Sequence, residues 1–212
     1  SDTPLLETRM VYTVNTEAAA VLEKLARAPR MKTLGLQFSS GCHESGDKKK
    51  GYFDTSWQHP TSWDDVILQG PHLGVSTPMI KQPNPTMKHN LDWSEVDLEA
   101  LPEDFIPATS YFPDRAAKPD YDTAYGTWDS ANGPVPIAGQ YRVAWRTMAA
   151  STGFRTIYPS LIVPGVHHVD LVMSAGNPDH LTDVIRASCY LSSILVDFQA
   201  RSTVGKHLRG AF

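Results

Sequence analysis

Three arginines recur in one stretch, Tyr141 to Pro164, which reads YRVAWRTMAASTGFRTIYPSLIVP. Arg142, Arg146 and Arg155, the last followed by Thr156, offer rigid forks of N–H donors. Such forks bond a guanine edge or a phosphate through two parallel hydrogen bonds. A second group of reactive types lies in GCHESGDKKKGYF, residues 41–53: Cys42, His43, Glu44 and Asp47, then Lys48-Lys49-Lys50. These types ligate metals or arm a nucleophile. Zinc sites, however, want Cys and His pairs that recur at defined spacing, and no second pair follows. Neighbouring Cys and His side chains also diverge along a chain, so a polar surface loop is the plainer reading. The lysine run suits either a solvated face or a phosphate contact. His167-His168 would face opposite sides of a strand and rarely serve one metal. Asp64-Asp65 and Glu103-Asp104 are paired carboxylates in turn-like surroundings, and no catalytic base follows from them. No Walker-type loop, GxGxxG, GxSxG elbow or HExxH helix is present. The Asp/Asn-Pro-Pro-aromatic run that grips a target base is missing, and so is a Pro-Asp…Glu-x-Lys nuclease pattern. No catalytic residue and no metal ligand is assigned.

The arginines must be positioned by strands. Tyr141, Val143 and Trp145 alternate with Arg142, Ala144 and Arg146, which predicts a strand with an apolar and a basic face. Ser151-Thr152-Gly153 supplies a turn. Arg155 to Val163 is rich in β-branched and aromatic residues and stops at Pro164-Gly165, completing a hairpin over about 141–163. Upstream, Met10–Val14 suits a strand. Asn15 or Thr16 caps a helix through Thr16–Ala28, with Ala20, Val21, Leu25 and Ala28 on one face. Thr33–Phe38 and Val66–Gln69 suit strands. Residues 76–90 read as a long loop carrying Lys81, Lys88 and His89, and 94–100 as a short helix. Residues 107–140 are rich in Pro, Gly, Asp and Tyr and read as an excursion with little regular structure. A third strand, VDLVMS, follows at 169–174. Asn177-Pro178 then opens a long helix over about 178–199, with Leu181, Val184, Ile185, Leu191, Ile194, Leu195 and Phe198 as its core stripe. The expected fold is α+β: a mixed, mostly antiparallel sheet with a central hairpin, a long carboxy-terminal helix and long irregular loops.

Composition bounds the partners. The 212 residues carry 41% hydrophobic and 20% charged side chains, enough for a core. Sixteen Pro and 14 Gly call for much irregular structure. No apolar run suffices for a membrane helix and no amino-terminal signal is seen, so the expectation is a cytoplasmic protein with no membrane partner. The two cysteines, Cys42 and Cys189, read as free thiols. Net charge is −4, but residues 139–212 hold seven Lys and Arg against four Asp and Glu, a local +3 inside an acidic chain. A chain starting at Ser1 is expected to be a processed or excised piece of something longer.

Five stretches together resemble one family: HESGDKKKGYF (43–53), WDDVILQGPHLGVSTPMIK (63–81), LEALPEDFIPATSYFP (98–113), YRVAWRTMAASTGFRTIYPSLIVPG (141–165) and LSSILVDFQARSTVGKHL (191–208). They resemble the carboxy-terminal half of Eco57I-like restriction-modification methylases, including BREX/Pgl-type adenine methyltransferases. In that family this half is the target recognition region, similar in role to the specificity domain of TaqI-type methyltransferases. The resemblance spans roughly residues 40–210 and leaves 1–40 unplaced. Where relatives often carry Asn-Glu before the Arg-Thr pair, Gly153-Phe154 stands here. The catalytic half is absent.

The resemblance implies that residues 1–212 form one DNA target recognition domain of an adenine-N6 methyltransferase. Duplex DNA would be its partner, with a methyltransferase catalytic domain in cis or in trans. This chain would hold no cofactor, S-adenosylmethionine belonging to the parent enzyme. Arg142, Arg146, Arg155, Thr156, Lys206 and His207 are the candidate DNA contacts, with Lys81 and Lys88 on phosphates. The alternative for Arg142 and Arg146 is internal ion pairing with the acidic 92–104 segment. Loop 114–140 is a candidate for specificity, since base-reading residues should vary between targets. Two other function classes remain open: a metal-dependent nuclease using His43, Glu44 and Asp47 with His167 or His168, and a protein-interaction module of a defence complex.

Overall fold

The alternation of Val143 and Trp145 with Arg142, Ala144 and Arg146 makes a strand buried on both sides, and the domain is layered around it. The computed structural model describes residues 15–148 and 153–203. The first half of the chain contributes α1 (Thr16–Ala26), β1 (Gln37–Ser39), α2 (Gly46–Lys49), β2 (Phe53–Gln58), β3 (Ile67–Leu68), β4 (Lys81–Pro83) and β5 (Trp93–Glu95). The second half contributes β6 (Thr109–Pro113), α3 (Tyr121–Ala124), β7 (Thr127–Trp128), β8 (Val135–Pro136), β9 (Arg142–Arg146), β10 (Pro159–Ile162), β11 (His167–His168), β12 (Val172–Gly176), α4 (Leu181–Ser192) and α5 (Ile194–Thr203). The expected Met10–Val14 strand and the Ser151-Thr152 part of the turn lie outside the described residues.

The main sheet is antiparallel with strand order β1-β12-β9-β10. Registers Pro159↔Trp145 and Ile162↔Arg142 form the central hairpin, and Val172↔Arg146 adds the third strand. Four two-stranded pairs surround it: β2 with β6, β4 with β5, β7 with β8, and β3 parallel to β11. The fold is therefore mixed α+β, mostly antiparallel.

Each face of the sheet buries its own cluster. Val143, Trp145 and Ala175 pack with Ile157 and with Ala187, Leu191, Val196 and Ala200 from α4 and α5. Ala144, Ile162 and Val172 pack on the other face against Val66, Leu68, Leu73 and Val166. A third cluster joins Cys42, Phe53, Ile67, Tyr111, Tyr121 and Val169. Burying each large apolar side chain contributes about 1.5–3 kcal/mol.

Several local expectations are corrected. The carboxy-terminal run is two helices, not one: Ser193 leaves helical geometry at ψ 150°. Within α4, Val184, Ala187 and Leu191 are buried while Leu181 and Ile185 are exposed; beyond the break, Val196 and Ala200 are buried while Ile194 and Leu195 are exposed. The helix starts at Leu181 rather than Pro178, because Asn177 Oδ1 accepts from the Asp179 and His180 amides in a turn ahead of it. Residues 94–100 are not a helix; β5 runs through Trp93–Glu95. The supposed excursion 107–140 holds β6, α3, β7 and β8. Met31–Leu34 is a 3-10 turn stopped by Gly35 at φ +59°, which delays the expected 33–38 strand to Gln37. The β3 pairing covers only Ile67–Leu68, and β12 begins at Val172 rather than Val169. Asn15 does cap α1, its Oδ1 accepting from the Glu17 and Ala18 amides at 2.8 and 3.2 Å. None of the residues of α1 is buried, so its expected apolar face is not core.

Candidate functional site

The hairpin arginines go to three different places. Arg142 is fully buried. Its Nη1 donates to the Tyr125 hydroxyl at 3.1 Å, its Nη2 to the Val166 carbonyl and its Nε to the Gln140 carbonyl at 3.3 Å. Such a guanidinium braces the scaffold and presents nothing to DNA. Arg155 is 13% exposed and lies 3.4 Å from Asp197, while its Nη2 donates to the Ser192 carbonyl at 2.8 Å and the Ser193 carbonyl at 3.2 Å. It thereby ties the α4–α5 break to the hairpin. Thr156 is also buried: its amide donates to Asp197 Oδ1 at 2.6 Å and its hydroxyl accepts from Arg201 Nε at 3.0 Å. Arg142, Arg155 and Thr156 are thus corrected from DNA contacts to scaffold. None of the hairpin arginines pairs with the acidic 92–104 segment, so that alternative is not the arrangement found either.

Asp197 organises this network and was passed over in the sequence. Its Oδ1 also accepts from the Ile157 amide at 3.0 Å, and its Oδ2 lies 3.5 Å from Arg201. An acid inside the apolar run LSSILVDF, four residues before an arginine, was the available signal.

Arg146 is different. It is half-buried, stacks 4.2 Å over the Tyr158 ring and donates through Nε to the Leu73 carbonyl at 3.1 Å. No carboxylate pairs with it among the described residues. Arg146 lines an open groove of about 680 Å³ together with Lys88, His89, Trp93, Tyr111 and Glu44. The Lys88 amine also has no ion pair among the described residues. The two acids of the groove are engaged. Glu44 accepts from the Tyr111 hydroxyl. Asp92 accepts from Asn84 Nδ2 at 2.8 Å, Thr86 Oγ1 at 2.6 Å and the Lys88 amide at 2.9 Å. Those donors pull its carboxyl down to about 2. The structure thus brings Lys88 and Arg146, two of the candidate DNA contacts, to one groove. Lys81, in β4 and paired across to β5, lies 3.5 Å from Glu95. Lys206 and His207 lie outside the described residues.

The reactive types of residues 41–53 do not converge. The Cys42 thiol is buried and pushed up to about 12, chiefly by burial, so it is a poor nucleophile. Asp47 accepts from the His43 amide at 2.8 Å and from Lys50 at 2.9 Å, an ordinary turn with an ion pair. His167 and His168 are buried and held to about 3 by desolvation and by Arg142. His168 Nε2 lies 2.8 Å from the Ser174 hydroxyl. His72, unmentioned in the sequence reading, is buried as well and depressed to about 4; its Nδ1 accepts from the Gln69 amide and its Nε2 donates to the Ala108 carbonyl. Among the described residues, no group of three or more His, Cys, Asp or Glu is placed to hold a metal ion. Nor is any described helix long and apolar enough to cross a membrane.

Compared with known proteins, the chain matches no family model, no curated protein and no solved structure.

Proposed function

We propose that this chain is a duplex-DNA target recognition domain of an adenine-N6 methyltransferase serving restriction-modification or phage defence in the cytoplasm. The catalytic half, with its S-adenosylmethionine, comes in cis or in trans. The resemblance of the five motif stretches supplies the class. The observation that carries the reading is the groove: Lys88 and Arg146 line it without carboxylate partners, while its acids are already engaged. Cations without a carboxylate partner favour an anionic ligand; Glu44 and Asp92, bonded only to neutral donors, keep their charge and shape where on the groove it can sit. The antiparallel main sheet holds Arg146 and the paired β4–β5 ribbon carries Lys88, as recognition at fixed spacing requires.

The test is binding of a fluorescent duplex across a salt series. Affinity is expected to fall linearly in a log–log plot, with a slope of about −0.9 for each phosphate neutralised. Folded protein that binds no duplex at low salt would overturn the reading. A second reading, a protein-interaction module, is favoured by one observation: Leu181, Ile185, Ile194 and Leu195 leave apolar surface exposed along α4 and α5. Binding to a separately supplied catalytic half, without any affinity for duplex, would support that reading instead.

A further inference from the structure

We infer that the loop between β4 and β5, residues 84–92, is a preformed finger that enters the major groove of DNA and reads base edges, with Asn90 as the reading residue. The inference rests on the DNA-recognition reading above and deepens it.

The finger has a fixed root. Lys81↔Glu95, Gln82↔Ser94 and Pro83↔Trp93 make a two-stranded antiparallel ribbon. Trp57 Nε1 donates to the Pro83 carbonyl at 2.9 Å, and Gln82 Oε1 accepts from the Ala108 amide at 3.1 Å. The Trp93 ring meets the buried His72 ring edge-on at 4.7 Å. The ribbon is therefore fastened to the body from both of its strands.

The tip is ordered from within. Asp92 reaches across the loop to Asn84, Thr86 and the Lys88 amide, and the Ser94 hydroxyl donates to Asn84 Oδ1 at 2.6 Å. Asn84 N donates to the Asp92 carbonyl at 3.0 Å, closing the loop at its neck. Met87 sits at φ +38°, an unusual backbone for a residue with a side chain, accommodated by this bracing. A loop so restrained loses little conformational entropy when it binds.

What this bracing presents is Lys88, His89, Asn90 and Leu91, all exposed, Leu91 at 85%. The Leu91 amide donates to His89 Nδ1 at 3.2 Å, which points the other ring nitrogen away from the turn. A two-stranded ribbon fits the major groove. There an Asn side chain bonds adenine N6 and N7 together, a Lys amine meets phosphate, and an apolar side chain meets a thymine methyl. Lys88, Asn90 and Leu91 supply one of each. Arg146 lies on the same groove of the protein and would take the flanking phosphate.

The test uses the 212-residue chain and a duplex library with a randomised centre, selected at low salt and sequenced. Asn90→Ala is expected to erase the preference at one or two positions of the enriched sequence and to weaken binding to it by about 5- to 150-fold. Lys88→Ala is expected to keep the preference and reduce the salt slope by about one. Asp92→Ala, which unties the tip, is expected to lose the preference while the melting midpoint stays within a few degrees of the parent. If the parent enriches a sequence and all three variants enrich the same one with the same salt slope, the finger is wrong and the recognition reading stands. If the parent binds no duplex, both fall.

Discussion

Lowering the pH from 7 to 5 should destabilise this domain, because three buried histidines take up protons far more readily in the unfolded chain than in the fold. His72, His167 and His168 are 1% exposed or less, with folded values of about 4, 3 and 3 against an ordinary 6.5. His72 is held neutral chiefly by desolvation; its bond to the Ala108 carbonyl favours the charged form, whereas the Gln69 amide donating to Nδ1 requires the unprotonated ring. His167 and His168 face Arg142, whose charge adds to desolvation; Asp122 opposes it weakly at His167, where Arg115 acts with Arg142. The sign follows from the depressed values. Between the unfolded and folded values the unfolded chain binds more protons, so stability is fully present above pH 6.5 and declines as pH falls toward the folded values. At pH 5 the unfolded state gains about 1.9 kcal/mol per histidine relative to pH 7, roughly 5–6 kcal/mol for the three. The result depends almost wholly on the unfolded value, since every folded value lies well below 5. For a domain of this size that amounts to a melting midpoint lower by about 10–20 °C. Carboxylates contribute little in this window, because their ordinary values lie near 4. Circular-dichroism melts in matched ionic strength at pH 7 and pH 5 read the effect. Midpoints agreeing within about 3 °C would refute it, and with it the burial of these three rings.

The hairpin network makes two further predictions. Arg155→Ala should lower stability by about 2–4 kcal/mol, from the loss of charge-assisted bonds to the Ser192 and Ser193 carbonyls and of the ion pair with Asp197, and should leave the salt slope of duplex binding unchanged. An unchanged melting midpoint with weakened binding would return Arg155 to the DNA. Asp197→Ala should cost more, about 3–5 kcal/mol, because it strands the buried Thr156 and Ile157 amides beside an unpaired Arg155. Urea titration measures both, and a cost for Asp197→Ala below that of Arg155→Ala would refute the assigned order.

What could be read in the chain was what is local. Strict alternation in Tyr141–Arg146 placed Val143 and Trp145 on the helix-covered face of β9, and Asn15 announced its cap. The expected faces of the arginines were right as well, but a face is not an exposure. Arg142 and Arg146 share a side of β9, yet the loop bearing Tyr125 and the segment leading into β11, with Val166, cover one and leave the other at a groove. Those covering segments arrive from far along the chain, and no period in the sequence encodes their arrival. The same holds for β3 and β11, two-residue strands whose pairing is invisible without the fold. In the α4–α5 run a periodic stripe continued across Ser193, where Arg155 binds the last carbonyls of α4 and the chain turns. Periodicity cannot register a bond made by a distant arginine. The β4–β5 finger was missed for a related reason: its order comes from one carboxylate, Asp92, acting across a segment whose composition reads as loop.

The placement of β1 has a consequence for how this chain comes into being. Gln37, Phe38 and Ser39 pair with Gly176, Ala175 and Ser174, so the two partners leave the ribosome about 140 residues apart. At ordinary elongation rates, β1 waits roughly 7–30 s for its neighbour. During that interval its backbone donors and acceptors lack the native partner that will bond them. The segment that no motif could place is therefore the last piece of the main sheet to be satisfied, although it is the first to be made. The main sheet closes only when β12 has emerged, and α4 and α5, which cover it, come later still.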